Sequence, residues 1–137
     1  MMRSIPLLVA GALLASCSNA PPPPYMSRSP SGERAYQMLV ANKVPGRPIG
    51  CLPHYDANDM TIIDGRTVAF RVSSRTSYVM HLGPGCEMLG SGTYALLSRQ
   101  FGGPGMCRGD IQSVVDTMNH TSLGSCVITD IVPYTRP

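Results

Sequence analysis

The sequence predicts a small, mainly β domain: an antiparallel meander curling into a sandwich or barrel, with one short N-terminal helix. Three observations predict this fold class. Short runs of β-type residues alternate with turn residues along the second half of the chain. Glycine (14) and proline (13) are frequent, which favours turns over long helices. Four cysteines follow residue 50, as is typical of a small exported domain held by disulfides.

The strands are predicted from short apolar runs bounded by turn residues. Asp64-Gly65 lies between two such runs, and this dipeptide is a strong hairpin signal. The predicted strands cover residues 60–63, 67–72, 77–82, 93–97, 111–116 and 125–131.

One short helix is predicted before these strands. Ser29 suits the N-cap, Pro30 fits the first turn, and Glu33 suits the positive end of a helix. Apolar residues continue at helical spacing to Val40, and Pro45-Gly46 is predicted to stop the helix.

The first residues have the pattern of an export signal. Arg3 supplies a positive charge, and residues 5–14 form an apolar stretch that leads through Ala15 and Ser16 to Cys17. The stretch is about half of the ~20 residues that a spanning helix needs, which disfavours a retained transmembrane anchor. We therefore expect a signal peptide over residues 1–16.

Leu14-Ala15-Ser16-Cys17 resembles the bacterial lipobox. The resemblance implies that the signal is cut before Cys17 and that this cysteine carries acyl chains such as palmitate. Two or three chains anchor a protein stably in a bilayer. The expected location is the bacterial cell envelope, and Ser18 in place of Asp favours the outer membrane facing the periplasm. The alternative is an ordinary secreted protein with a chance cysteine at this position.

A proline-rich stretch separates Cys17 from the body. Four consecutive prolines begin at Pro21, and such a run adopts the extended polyproline II conformation. We expect residues 17–30 to form a lipidated tether and residues 31–137 to form the disulfide-bonded domain. Alternatively, the prolines form a motif that a partner domain binds.

The four body cysteines are expected to form two disulfides, for which three pairings are possible. Cys86 and Cys107 each follow a Gly-Pro-Gly turn, whereas Cys51 and Cys126 lie near the two ends of the body. The preferred pairing is therefore Cys86–Cys107 with Cys51–Cys126. Cys-x-x-Cys spacing does not occur, which disfavours a redox site or a zinc site.

Five segments of the body carry a further resemblance: Arg47-Pro48-Ile49-Gly50-Cys51, Gly85-Cys86-Glu87-Met88-Leu89, Met106-Cys107-Arg108-Gly109-Asp110-Ile111, Gly124-Ser125-Cys126-Val127 and Val132-Pro133-Tyr134. With these segments the body resembles a group of small uncharacterised proteobacterial lipoproteins that share a domain of unknown function. This resemblance supports a β domain with four cysteines and implies no activity.

Charge and motifs exclude several classes of function. The net charge is only +3 and the arginines form no run, so we reject nucleic acid as a partner. His54, His81 and His120 have no partner at ligand-like spacing, so no metal and no cofactor are expected. The common catalytic motifs are missing, so no catalytic residue is proposed.

Arg108-Gly109-Asp110 spells a cell-adhesion tripeptide. We interpret it as structural: Gly109 permits a turn and Asp110 bonds nearby backbone amides.

The leading functional hypothesis is a non-catalytic envelope module that binds or positions an unknown envelope protein or polymer. One alternative is an inhibitor or ligand-binding lipoprotein acting on a hydrolase, with the Gly/Pro loops before Cys86 and Cys107 as its surface. A second alternative is a small envelope hydrolase.

Overall fold

The computed structural model of the chain describes residues 28–53, 57–99 and 106–137. The predicted signal, Cys17 and the proline run lie outside the described residues. The predicted fold class is confirmed, because an antiparallel sheet curls into a half-barrel and carries one helix.

The described elements follow the predicted order along the chain. The helix α1 spans Pro30–Val40. Two short 3-10 turns lie at Ala57–Asp59 and Glu87–Ser91. The strands are β1 (Val44–Pro45), β2 (Met60–Asp64), β3 (Thr67–Arg71), β4 (Thr76–Leu82), β5 (Tyr94–Ser98), β6 (Ile111–Asp116) and β7 (Ser122–Thr135).

Two three-stranded meanders, β2-β3-β4 and β5-β6-β7, make up the sheet. They join because β4 pairs with β7, giving the order β2-β3-β4-β7-β6-β5, while β1 pairs with β7 at its C-terminal end. β7 is 14 residues long. Its first half pairs with β6 and its second half with β4, so this one strand connects the two meanders.

The helix starts as predicted but ends earlier. The Ser29 side chain accepts a hydrogen bond from the Gly32 backbone N–H at 3.0 Å, which is the expected cap. The last helical residue is Val40, so the prediction that Pro45-Gly46 stops the helix is wrong. Asn42 takes a positive φ of 56° and turns the chain, after which β1 pairs with β7.

Two apolar cores lie on opposite sides of the β2-β3-β4 meander. Successive strand residues face opposite sides, so Val79 faces the helix while Met80 faces the concave side of the half-barrel. The helix-side core joins Leu39 of α1 to Ile63, Ala69 and Val79. The main core contains Leu52, Val68, Phe70, Met80, Leu82, Cys86, Leu89, Met106, Val114, Cys126, Ile128 and Ile131.

The prediction of two disulfides is confirmed, but the preferred pairing is wrong. The bonds are Cys51–Cys107 and Cys86–Cys126. Cys86 meets Cys126 because β7 runs past the end of β4, where the Gly83 N–H donates to the Val127 carbonyl at 2.8 Å.

Cys51 meets Cys107 because the segments around them run antiparallel. The Leu52 N–H donates to the Met106 carbonyl, and the Arg108 N–H donates to the Gly50 carbonyl, both at 2.8 Å. The two cysteines form an isolated β-bridge between these bonds. Strand pairing, and not the two Gly-Pro-Gly turns, therefore decides the connectivity.

Candidate functional site

Four basic residues meet at one end of the sheet, and we call Lys43, Arg71, Arg75 and Arg136 the basic end. Arg71 lies opposite Ser77 in the β3–β4 pair, and Lys43 reaches the same Ser77 from the turn after α1. The Arg136 N–H donates to the Arg75 carbonyl at 3.0 Å. These residues come from three separate parts of the sequence, the turn after α1, the β3–β4 turn and the end of β7, so the tertiary fold brings them together.

Lys43 is held where α1 ends. Its Nζ donates to the Leu39 carbonyl at 2.6 Å and to Ser77 Oγ at 2.8 Å. Ser77 is fully buried and donates in turn to the Leu39 carbonyl at 3.0 Å. Desolvation, followed by repulsion from Arg71 and Arg136, lowers the pKa of Lys43 below its ordinary value. Lys43 is therefore attracted by the negative end of the helix and repelled by Arg71 and Arg136.

The three arginines of the basic end are exposed. Among the described residues, every salt bridge uses an arginine outside this group. Asp59, which directly precedes the Met60–Phe70 pair, makes no salt bridge with Arg71. The basic end is thus a group of cations without a salt bridge to a described acid.

Two exposed valines flank these cations. Val44 follows Lys43 and is 51% exposed, and Val72 follows Arg71 and is 44% exposed. Val44 lies opposite Thr135 in the β1–β7 pair, and the Val72 N–H donates to the Thr76 carbonyl at 3.2 Å. Paired strand residues share a face and successive ones alternate, so Val44 lies with Thr135 on the face opposite to Tyr134. Arg71, by contrast, shares the helix-side face with Ser77 and Val79, so Val44 adds no apolar area to the face of Arg71.

At the other end of α1, Arg28 fixes the chain to the domain. Its Nε lies 3.1 Å from Asp64 Oδ2, and its Nη1 lies 2.9 Å from Glu33 Oε2. The guanidinium stacks 4.3 Å above the Tyr36 ring. Asp64 is buried and also accepts from the Arg66 backbone N–H at 2.8 Å. Arg28 therefore lies before the start of α1 and Lys43 after its end, and the eleven-residue helix between them is about 16 Å long.

A pair of tyrosines ties the helix to β7. The hydroxyls of Tyr36 and Tyr134 lie 3.1 Å apart and share a hydrogen bond. That hydrogen bond, together with burial and the nearby Tyr36, raises the pKa of Tyr134 to about 12. Helix and sheet are therefore held together by a contact that high pH should break.

The Arg108-Gly109-Asp110 tripeptide is structural, as predicted. Gly109 takes a positive φ of 91°, and Asp110 Oδ2 accepts from the Cys107 N–H at 2.8 Å. Arg108 Nε donates to the Thr129 carbonyl at 3.1 Å. The turn opens β6, and the Asp110 and Arg108 side chains each contact a backbone group of the domain.

The histidines do not come together in the described part of the chain. His81 lies opposite Asp130 in the β4–β7 pair, and His120 lies in the exposed turn before β7. His54 is outside the described residues. Within residues 28–53, 57–99 and 106–137, no group of three His, Cys, Asp or Glu side chains could hold a metal ion. Met80, which adjoins His81, is fully buried in the main core.

The Gly/Pro loop before Cys86 is packed against the sheet. Gly85 has a positive φ of 109°, and a Cβ at this position would collide with the Ser125 carbonyl. A Cβ at Gly124 would collide with the Gly85 carbonyl in the same way. These glycines permit the close backbone approach that the Cys86–Cys126 disulfide needs. The second loop, residues 103–105, lies outside the described residues.

A buried polar pair lies between β5 and β6. Gln112 is fully buried, and neither its Nε2 nor its Oε1 has a hydrogen-bond partner among the described residues. Ser98 lies directly opposite Gln112 in the strand pair, and its buried hydroxyl also has no hydrogen-bond partner among the described residues. Unpaired buried amides cost about 1–3 kcal/mol, so this pair lowers the stability of the domain.

Comparisons of the chain with protein-family models, curated proteins and solved structures find no match. The resemblance to a lipoprotein family therefore stays a prediction. None of the helices in the described part of the chain has the length and apolar character needed to cross a bilayer.

Proposed function

We propose that this protein is a lipoprotein of the bacterial cell envelope that is anchored through acylated Cys17 and binds an anionic envelope component without catalysing a reaction. The proposed location is the outer membrane, facing the periplasm. The observation that carries the proposal is the basic end, where Lys43 and three arginines meet without a salt bridge to a described acid. The anchor would be attached at the opposite end of α1, which leaves the basic end free to bind.

The electrostatic cost of the basic end supports a binding function. Desolvation, followed by repulsion from Arg71 and Arg136, lowers the pKa of the half-buried Lys43, so its charged form is disfavoured at this position. Residues that are locally unfavourable for the stability of the fold are most often found at functional sites. An anionic partner would relieve the repulsion and so bind with a favourable electrostatic contribution.

The proposal is tested by cross-linking in cells that carry the full chain. Arg71→Gln with Arg136→Gln removes two charges from the basic end, and Arg34→Gln with Arg99→Gln removes two exposed charges elsewhere. We expect an envelope component to be recovered with the unchanged chain and with the Arg34/Arg99 variant, and to be lost with the Arg71/Arg136 variant. Equal recovery from all three chains would overturn the assignment of the basic end as the binding surface.

A further inference from the structure

We infer that the Cys51–Cys107 disulfide is a site of reversible thiol–disulfide exchange, which an external dithiol protein reduces while Cys86–Cys126 stays oxidised. Two observations carry it. The Cys51–Cys107 pair is accessible from solvent, and its two cysteines lie opposite each other in a β-bridge that contacts other than the disulfide hold in place. Neither the basic end nor the acylation of Cys17 bears on this exchange.

The two disulfides differ in their access to solvent. Cys51 is exposed and Cys107 is half-buried, whereas Cys86 and Cys126 are 0% and 3% exposed. Exchange requires a thiolate to approach one sulfur of the disulfide, so access limits its rate. Exposed disulfides are typically the labile ones, and structural disulfides resist reduction. Cys51–Cys107 is therefore the bond that a reductant attacks without opening the domain.

The surroundings of Cys51 and Cys107 keep the two thiols opposite each other after the bond breaks. The two backbone hydrogen bonds that flank the bridge do not involve the sulfurs. The neighbouring Leu52 and Met106 are 0% and 5% exposed and belong to the main core. Successive residues of an extended segment face opposite sides, so the core holds these neighbours while the cysteines face outward. Reoxidation therefore restores the same bond.

Spacing in the sequence does not reveal this pair, since the two cysteines are 56 residues apart and form no Cys-x-x-Cys motif. The β-bridge supplies the proximity that such a motif supplies by spacing. A dithiol is the reductant that fits, because its second thiol completes the reaction that the first begins. A monothiol leaves a mixed disulfide until a second molecule arrives.

The exchange consists of two displacements. A thiolate of the reductant attacks Sγ of Cys51, the more exposed partner, and the S–S bond breaks to release the Cys107 thiolate, which takes up a proton. The second thiolate of the reductant then attacks the reductant's own sulfur in the mixed disulfide and releases the Cys51 thiolate, which is also protonated. Two electrons and two protons pass to the domain, and the reductant leaves as its disulfide. The disulfide form of the same partner reverses both steps.

The test measures reduction at each cysteine of the full chain, isolated in its oxidised form. An excess of reduced thioredoxin, a Cys-x-x-Cys protein, is the probe, and the thiols formed are trapped with iodoacetamide. Trypsin places the four body cysteines on four separate peptides, so labelling is read for each cysteine and the state of Cys17 does not enter. The same reaction with dithiothreitol in concentrated guanidinium chloride measures both bonds without the fold.

We expect Cys51 and Cys107 of the folded chain to be labelled at least about 100-fold faster than Cys86 and Cys126, because the buried bond is reached only in rare open states. In guanidinium chloride the four cysteines should be labelled at similar rates. The chain reduced at Cys51–Cys107 should keep its circular dichroism spectrum, and oxidised thioredoxin should restore this pairing alone. Cys51→Ala with Cys107→Ala is the matched control, in which the folded chain should gain almost no label over the same time.

Three results would overturn the inference. Equal labelling of the two disulfides in the folded chain would show that access does not select the bond. Loss of the circular dichroism spectrum on reduction of Cys51–Cys107 alone would make this bond a structural one. Reoxidation to a mixture of pairings would show that the β-bridge does not hold the two thiols together.

Discussion

Removal of the Cys86–Cys126 disulfide is expected to cost more stability than removal of Cys51–Cys107. The two bonds span 40 and 56 residues. Loops of these sizes give nearly equal chain-entropy contributions, about 4 kcal/mol each. A difference between the two variants must therefore come from what surrounds the sulfurs.

The surroundings of the two bonds differ strongly. Cys86 and Cys126 are 0% and 3% exposed and belong to the main core, whereas Cys51 is exposed and Cys107 is half-buried. Replacing the buried pair by alanine removes apolar contacts and leaves a cavity, which should add about 1–2 kcal/mol. We expect losses of about 5–6 kcal/mol for the buried pair and about 4 kcal/mol for the exposed pair.

Urea denaturation of Cys86→Ala/Cys126→Ala and Cys51→Ala/Cys107→Ala, each against the unchanged chain, measures both losses. A domain of this size has only about 5–15 kcal/mol of total stability, so the buried-pair variant should be marginally folded or unfolded. Equal losses, or a larger loss for the exposed pair, would refute the reasoning that packing adds to the chain-entropy contribution.

Three further predictions concern single residues. Gly32→Ala should lower the stability by about 1–2 kcal/mol in thermal denaturation, because its Cβ would collide with the Ile63 carbonyl and outweigh the gain in helix propensity; a stabilised variant would contradict this contact. The Tyr134 pKa is raised from 10.0 to about 12, so its contribution to stability is present below pH 10 and is lost as the pH rises through about 12. Tyr134→Phe should therefore lose less stability than the unchanged chain between pH 10 and about 12, when the free energy of unfolding is measured against pH. An equal dependence of the free energy on pH in both chains would count against the hydroxyl contact between Tyr134 and Tyr36. Gln112→Met should raise the stability by about 1 kcal/mol in urea denaturation, because an unpaired buried amide is removed; a destabilised variant would show that the amide has a partner.

The start of the helix could be predicted from the sequence, and its end could not. The cap depends on neighbours, Ser29 and Pro30, whose effect is local. The end depends on the turn at Asn42 and on β1, which pairs with β7 about 90 residues later. Local patterns do not contain that distant partner.

Among the strands, too, the parts with a local sequence signal could be predicted, and the parts that depend on distant pairing could not. Asp64-Gly65 marks the β2–β3 hairpin correctly, and β6 matches residues 111–116 as predicted. β7 is predicted over residues 125–131 but spans Ser122–Thr135. The additional length includes Gly124 and Pro133, which weaken a strand pattern. Pairing with β1, β4 and β6 stabilises the strand despite them.

The basic end could not be found from the sequence. Its cations come from three distant parts of the sequence and form no run, whereas a run is the pattern by which a basic surface is normally identified. They meet because Arg71 pairs across from Ser77 and because β7 returns Arg136 to the β3–β4 turn. The disulfide pairing could not be predicted for the same reason, since strand register determines it.

The intact mass of the protein isolated from bacterial membranes tests the central proposal most directly. We expect a chain that begins at residue 17, carries acyl mass on Cys17, and has all four remaining cysteines oxidised as Cys51–Cys107 and Cys86–Cys126. A mature species that still begins at Met1, or one without acyl mass, would contradict it.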